Sequence, residues 1–224
     1  MSRLVTSFVL GYHGCDRATA DRIVNQQALM TMSKNDWDWL GSGIYFWEAD
    51  PDRALEWAAE RQQKGKYQEA AVVGAIIDLG NCLDLMSRKS HEFLAKAYSN
   101  YKAIHELVLA YTDQSSESHA LAKKKLNLAN ASPSGSKQED LLLRRLDCAI
   151  INWLHDMARN ETDEAQKQGR PSRMKSFDTV RGLFIEGSPT FPGSGIMQKT
   201  HIQIAVVNPD CIKGVFHWPY PAQA

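Results

Sequence analysis

Leu40-Gly41-Ser42-Gly43-Ile44-Tyr45-Phe46, followed by Trp47 and then by Asp50-Pro51, is the stretch on which the fold turns. Two glycines around a serine mark a turn, and the β-branched and aromatic residues after them predict a strand over residues 43–47. Asp50 and Pro51 then read as a helix start. The aspartate caps the free backbone N–H groups, and proline fits the first helical position, where no N–H is required. This helix is expected through residue 61, with Ala54, Trp57, Ala58 and Arg61 forming one small, apolar-leaning face.

Upstream, residues 5–11 predict a strand that delivers the chain into Tyr12-His13-Gly14, and residues 18–27 predict a short helix beginning near the capping residue Asp16. Downstream, residues 71–79 form a continuous apolar run closed by Gly80 and Asn81, the pattern of a buried central strand. Residues 87–112 and 139–158 change to helical spacing, the second with Leu142, Leu146, Ala149, Ile150 and Trp153 along one face. Ser132-Pro133-Ser134-Gly135-Ser136 and the basic stretch 166–175 read as exposed loops. Strands return at 179–185, 201–207 and 213–217, with a Gly/Pro/Ser-rich connection between the first two. The pattern is α+β, strand-rich at both ends, with a helical block at about 87–175 inserted into a single domain spanning 1–224.

Of the 224 residues, 43% are apolar and 23% charged, which predicts a packed core rather than a disordered chain. The 26 basic residues balance 26 acidic ones, so no long-range field gathers nucleic acid or anionic membrane, and local patches must do any such work. Cys15, Cys82, Cys148 and Cys211 lie far apart without paired spacing, which argues against a zinc site or a dense disulfide framework and for free thiols. The run from Leu4 to Leu10 lacks the apolar length of a secretory signal, and a cytoplasmic location is expected.

In combination, Tyr12-His13-Gly14 after a strand, the Leu40–Phe46 segment leading to a helix, and His201-Ile202-Gln203-Ile204-Ala205-Val206 followed by Asp210-Cys211-Ile212 resemble the ADP-ribosyltransferase family. This family includes the catalytic domains of poly-ADP-ribose polymerases and bacterial ADP-ribosylating toxins. Thr179-Val180-Arg181-Gly182-Leu183 resembles the strand before its catalytic loop, and Ser194 the loop serine. The likeness covers roughly residues 5–85 and 176–218, outside the helical block. It implies two packed, mostly antiparallel sheets around an NAD cleft, with NAD as substrate and no metal.

The resemblance assigns roles position by position. The backbone of Gly14 would bond the nicotinamide carboxamide, His13 a ribose hydroxyl, and Tyr45 would stack on the nicotinamide ring, with Ser42 and Ser194 near the ligand and Trp47 a candidate for the opposite wall. Where the family carries a glutamate this chain has Gln203, which keeps a hydrogen bond to the ribose but cannot act as a base. Glu186, at the end of the preceding strand, and His201, two residues before Gln203 on the same strand face, are the alternatives for activating the acceptor.

The expected activity is mono-ADP-ribosyl transfer to a macromolecule, with nucleic acid slightly favoured over protein on the basic runs Lys123-Lys124-Lys125, Arg144-Arg145 and 167–175. Compact domains of this kind resemble bacterial toxins of toxin–antitoxin or phage-defence systems, which implies a cognate antitoxin partner. NAD hydrolysis, RNA 2′-phosphotransfer and a non-catalytic NAD- or ADP-ribose-binding module are the competing readings.

Overall fold

The computed structural model describes residues 8–133 and 141–219. Residues 5–7 of the first expected strand, Ser134-Gly135-Ser136 and residues 139–140 of the expected second helix lie outside them. The described chain divides into two compact units. One holds residues up to Ser33, Gly43–Leu83 and those from Phe177 onward; the other holds Lys34–Ser42 and Asp84–Ser176.

The first unit is built on a seven-stranded sheet. Its strands are β1 (Phe8–Asp16), β2 (Ile44–Glu48), β3 (Ala70–Asp78), β4 (Cys82–Asp84), β7 (Thr179–Phe184), β8 (His201–Val206) and β9 (Ile212–His217), in the order β4-β7-β8-β2-β1-β3-β9. β5 (Asn130–Ala131) and β6 (Leu143–Arg144) make a separate two-stranded ladder. The expectation of two packed sheets is thereby corrected to one sheet that is nearly divided. β1 pairs with β3 over nine residues, Phe8 to Asp16, but with β2 only at Gly11↔Glu48 and Tyr12↔Trp47. β3 is interior, yet one strand from the edge rather than central, because β9 pairs along its outer side.

Helix α1 (Arg17–Val24) starts where Asp16 accepts the Ala18 N–H, and α2 (Pro51–Gln63) where Asp50 accepts the Arg53 N–H at 2.9 Å, as the sequence predicts for both caps. Strand alternation separates two apolar layers. Ile44, Phe46, Ala75, Ile77, Ile204 and Val206 form one, whereas Tyr12, Trp47, Ala54 and Val72 form the other, beneath α2.

The second unit contains α3 (Arg88–Tyr111), α4 (Glu117–Leu126) and α5 (Arg145–Lys167). Helix α4, capped by Ser116, is absent from the sequence reading, and α5 runs nine residues past the expected end at 158. Its start is also displaced: Leu143–Arg144 pairs with Asn130–Ala131, and the Asn130 Oδ1 accepts the N–H groups of Leu146 and Asp147. A side chain distant in sequence caps the helix in place of a local one. Among the described residues no helix is long and apolar enough to cross a membrane.

Two outcomes follow from this packing. A Cβ at Gly14 would lie 2.3 Å from the Ala54 carbonyl oxygen, so Gly14→Ala must push α2 away and should lower stability by about 1–3 kcal/mol or more, read from urea unfolding. His155, 4% exposed, has its pKa lowered to about 4 by burial, with Arg159 adding to the effect. The unfolded chain therefore binds the proton first, and stability present above pH ~6.5 is lost as pH falls toward 4. The urea midpoint should drop between pH 7 and pH 5, and less steeply in His155→Phe; an equal slope in the two proteins would assign the acid sensitivity elsewhere.

Candidate active site

Where the β1–β2 ladder stops, a side chain takes over. His13 Nδ1 lies 2.8 Å from the Tyr45 carbonyl oxygen, and because a carbonyl only accepts, Nδ1 carries the proton. The bond leaves Nε2 as the acceptor of a neutral ring, and burial favours that neutral form by lowering the His13 pKa. His13 thus reaches the next strand through an imidazole at the point where the backbones part.

On the strands beyond the gap, register decides which side chains meet. Tyr45 is opposite Ala205 and Trp47 opposite Gln203, while Gly182 and Phe184 of β7 are opposite Gln203 and His201. Directly opposed residues share a sheet face, so Tyr45, Trp47, His201 and Gln203 line one side. His13 follows Tyr12, which shares Trp47's layer, and alternation turns its ring to the other layer, 5.9 Å from Phe46. The structure brings His13 to the Tyr45 backbone rather than to its ring.

Gly14 is a glycine for a packing reason: its α-carbon is covered by α2 at Ala54, so the close approach expected from a ligand is made by a helix. Trp47 also departs from its expected role. It is 6% exposed and packed with Tyr12, Ala54 and Val72, with Trp57 5.9 Å away, so it is a core residue and offers no open wall for stacking. Ser42 belongs to the helical unit, where its N–H donates to Asn152 Oδ1 at 2.8 Å. The Ser194 hydroxyl shapes its own loop, donating to the Ile196 carbonyl and accepting the Ile196 N–H.

Glu186 sits just beyond β7, where the loop to β8 closes on itself through Lys199 N–H to Glu186 O at 3.0 Å and Gln198 N–H to Ser188 O at 2.9 Å. Its carboxylate accepts from Arg53 Nη2 of α2 at 3.2 Å, with the two side chains only 14% and 11% exposed. Arg53 is a residue that sequence reasoning missed. It also lies 5.9 Å from the Trp47 ring and 3.7 Å from Glu56. A second unanticipated pair, Glu48 with Arg181, is bidentate at 2.5 and 2.7 Å and spans β8 between β2 and β7. The sequence carried no signal that paired either arginine with its glutamate.

His201 is 5% exposed, and its Nδ1–H donates to the Lys199 carbonyl at 2.6 Å. Burial lowers its pKa and the Arg53 charge adds to this, so the ring is neutral at pH 7 with an Nε2 lone pair. That Nε2, the Trp47 Nε1 and the Nε and Nη1 of Arg53 are buried without a hydrogen-bond partner among the described residues. Each such atom costs about 1–3 kcal/mol of lost hydration, and Trp153 Nε1 and His155 Nε2 of the helical unit share this condition.

Of the basic runs, Arg170 is committed to Glu161 at 2.7 Å, Arg145 lies 3.5 Å from Asp36 and Arg144 3.5 Å from Asp147. These charges are locally answered, which weakens a continuous phosphate-tracking patch.

His13→Phe keeps ring volume but removes the donor to Tyr45, and it should destabilise the chain by about 1–3 kcal/mol in urea unfolding. A wild-type midpoint would show that the strand gap closes without the imidazole. The chain matches no protein-family model, no curated protein and no solved structure. Its likeness to ADP-ribosyltransferases therefore stands on the sequence motifs alone.

Proposed function

We propose that this chain is an NAD-consuming mono-ADP-ribosyltransferase. The observation that carries the reading is the bond from His13 Nδ1 to the Tyr45 carbonyl where the β1–β2 ladder ends, because it joins the His-Gly strand end to the Tyr45 strand, the two leading motifs of the resemblance. In this reading the nicotinamide lies beside this strand end, its carboxamide bonded by backbone groups there. Tyr45 supplies the aromatic face and Gln203, with only Gly182 opposite it on β7, positions the ribose.

Cleavage of the nicotinamide–ribose bond builds positive charge on the sugar, which carbonyl and carboxylate oxygens stabilise. Gln203 contributes its amide oxygen but takes no proton, so acceptor activation falls to Glu186 or His201. Glu186 is engaged by Arg53, whereas the His201 Nε2 lone pair is uncommitted, and this favours His201. The acceptor is a macromolecule, with nucleic acid slightly ahead of protein on the adjacent lysines Lys123-Lys124-Lys125 at the end of α4, and the biological setting is a toxin held by an antitoxin. A second reading, an NAD-binding module without turnover, is favoured by the glutamine at 203 and by the Arg53–Glu186 pairing.

Incubation with NAD labelled in the adenylate and with cell extract tests the proposal. Label is expected on a nuclease-sensitive product, with nicotinamide released. Gln203→Ala and Tyr45→Ala should each cut nicotinamide release at least tenfold while unfolding like wild type, an effect of about 1.4 kcal/mol or more on the barrier. Glu186→Gln should retain transfer if His201 is the base. Retained NAD binding with no nicotinamide release from the wild-type protein would establish the binding module instead.

A further inference from the structure

We infer that helix α3 pairs with α3 of a second copy of this chain, antiparallel about a two-fold axis, through the stripe Asn100, Ile104, Leu107 and Tyr111. The inference concerns the helical unit alone and stands apart from the transferase reading.

Helix α3 is apolar over more of its circumference than its neighbours cover. At about 100° per residue, Ala97, Tyr101 and His105 share one face, and these are its buried residues. On that face the Tyr101 hydroxyl reaches the Lys125 carbonyl of α4 at 3.2 Å, and the Tyr101 ring is 5.5 Å from Trp153 of α5. Beside it runs a second stripe, from Asn100 by steps of four, three and four residues to Ile104, Leu107 and Tyr111. Its apolar members stay open, Ile104 at 41%, Leu107 at 55% and Tyr111 at 85% exposure. Alternating steps of four and three make the seam of a coiled coil, and the occupant such a seam fits is another helix.

Charge chooses which helix. The N-terminus of a helix favours anions and the C-terminus cations, yet α3 opens on Arg88 and Lys89, with no acidic residue in its first turn and no basic one in its last. Lys96 adds to the basic half, where Glu92 is the one acid. The other end carries Glu106, 3.6 Å from Lys102 of the same helix, and Asp113 just beyond the last turn. A second α3 laid antiparallel sets the basic half against the acidic end and each dipole against its opposite. A parallel pair would set like against like.

Register then matches side chain to side chain. With Ile104 against Leu107 of the second copy, symmetry sets Leu107 against Ile104 and Asn100 against Tyr111 at both ends. The single amide of the stripe thus meets its single phenol, and the Tyr111 hydroxyl donates to the Asn100 side-chain oxygen, so pairing buries neither without a partner. In the same register Lys96 comes within two residues of the level of Asp113 of the second copy, roughly 3 Å along the axis. Asp113 is held for this contact, because its Oδ1 accepts the Ser115 N–H at 2.8 Å. A helix of another protein would have to supply each of these complements separately, whereas a two-fold axis supplies all of them from one sequence.

Sedimentation equilibrium of the full chain is the test. A species of twice the 25.2 kDa chain mass is expected, dissociating to monomer on dilution. Leu107→Asp places a carboxylate in the seam and should raise the dissociation constant at least about thirtyfold, the effect of losing a central anchor. Tyr111→Ala should raise it about tenfold through the lost hydrogen bond and ring contact. Both side chains are exposed in the single chain, so the far-ultraviolet circular dichroism of each variant should match wild type. Lys96→Glu, which turns a like charge toward Asp113, should weaken the dimer about threefold, and Lys96→Glu combined with Asp113→Lys should restore it. A monomer at every concentration would overturn the inference and leave the stripe to a different protein. A dimer indifferent to Leu107→Asp would place the contact elsewhere, and a charge swap that fails to recover affinity would overturn the antiparallel register.

Discussion

The contact between His13 and the Tyr45 carbonyl sets the terms for the rest of the β-sheet unit. Two neighbouring strands that keep company for only two residue pairs would otherwise expose a row of backbone donors and acceptors in the middle of a sheet, where water is scarce. The imidazole answers one of these, bonding the Tyr45 carbonyl from β1. On one side, β3 and β9 extend β1 into a three-stranded half; on the other, β8, β7 and β4 extend β2.

Charge reinforces that geometry from both sides of the sheet. The Glu48–Arg181 fork ties β2 to β7 across β8 at fixed spacing, since two parallel hydrogen bonds fix orientation as well as distance. Arg53 does the corresponding work from α2, holding the end of β7 through Glu186. The strand carrying His201 and Gln203 lies between these two ties, so its side chains are presented by a braced element rather than by a loop.

Much of this was legible in the chain itself. Asp50-Pro51 carries its own capping chemistry, and the strand from Ala70 to Asp78 announces itself by the run of small and apolar residues up to Ile77, because both signals are local. What escaped was decided at long range. Arg53 and Glu186 are 133 positions apart, as are Glu48 and Arg181, and no periodicity links them. The start of α5 was misplaced because Asn130 caps it from outside, and Lys34–Ser42 joins the helical unit although its motif reads as an entry to β2. The candidate site was legible as a set of residues, but which of them face together came only from register, which put His13 and Trp47 in places the motif did not specify.

One consequence lies in the register of β8. Gln203 stands between Trp47 of β2 and Gly182 of β7, and glutamate has the side-chain length and branching of glutamine, so the exchange alters charge rather than shape. Glutamine and glutamate codons differ by one base. The charge presented at this point of β8 can therefore change in a single mutational step, with the length and branching of the side chain left as they are.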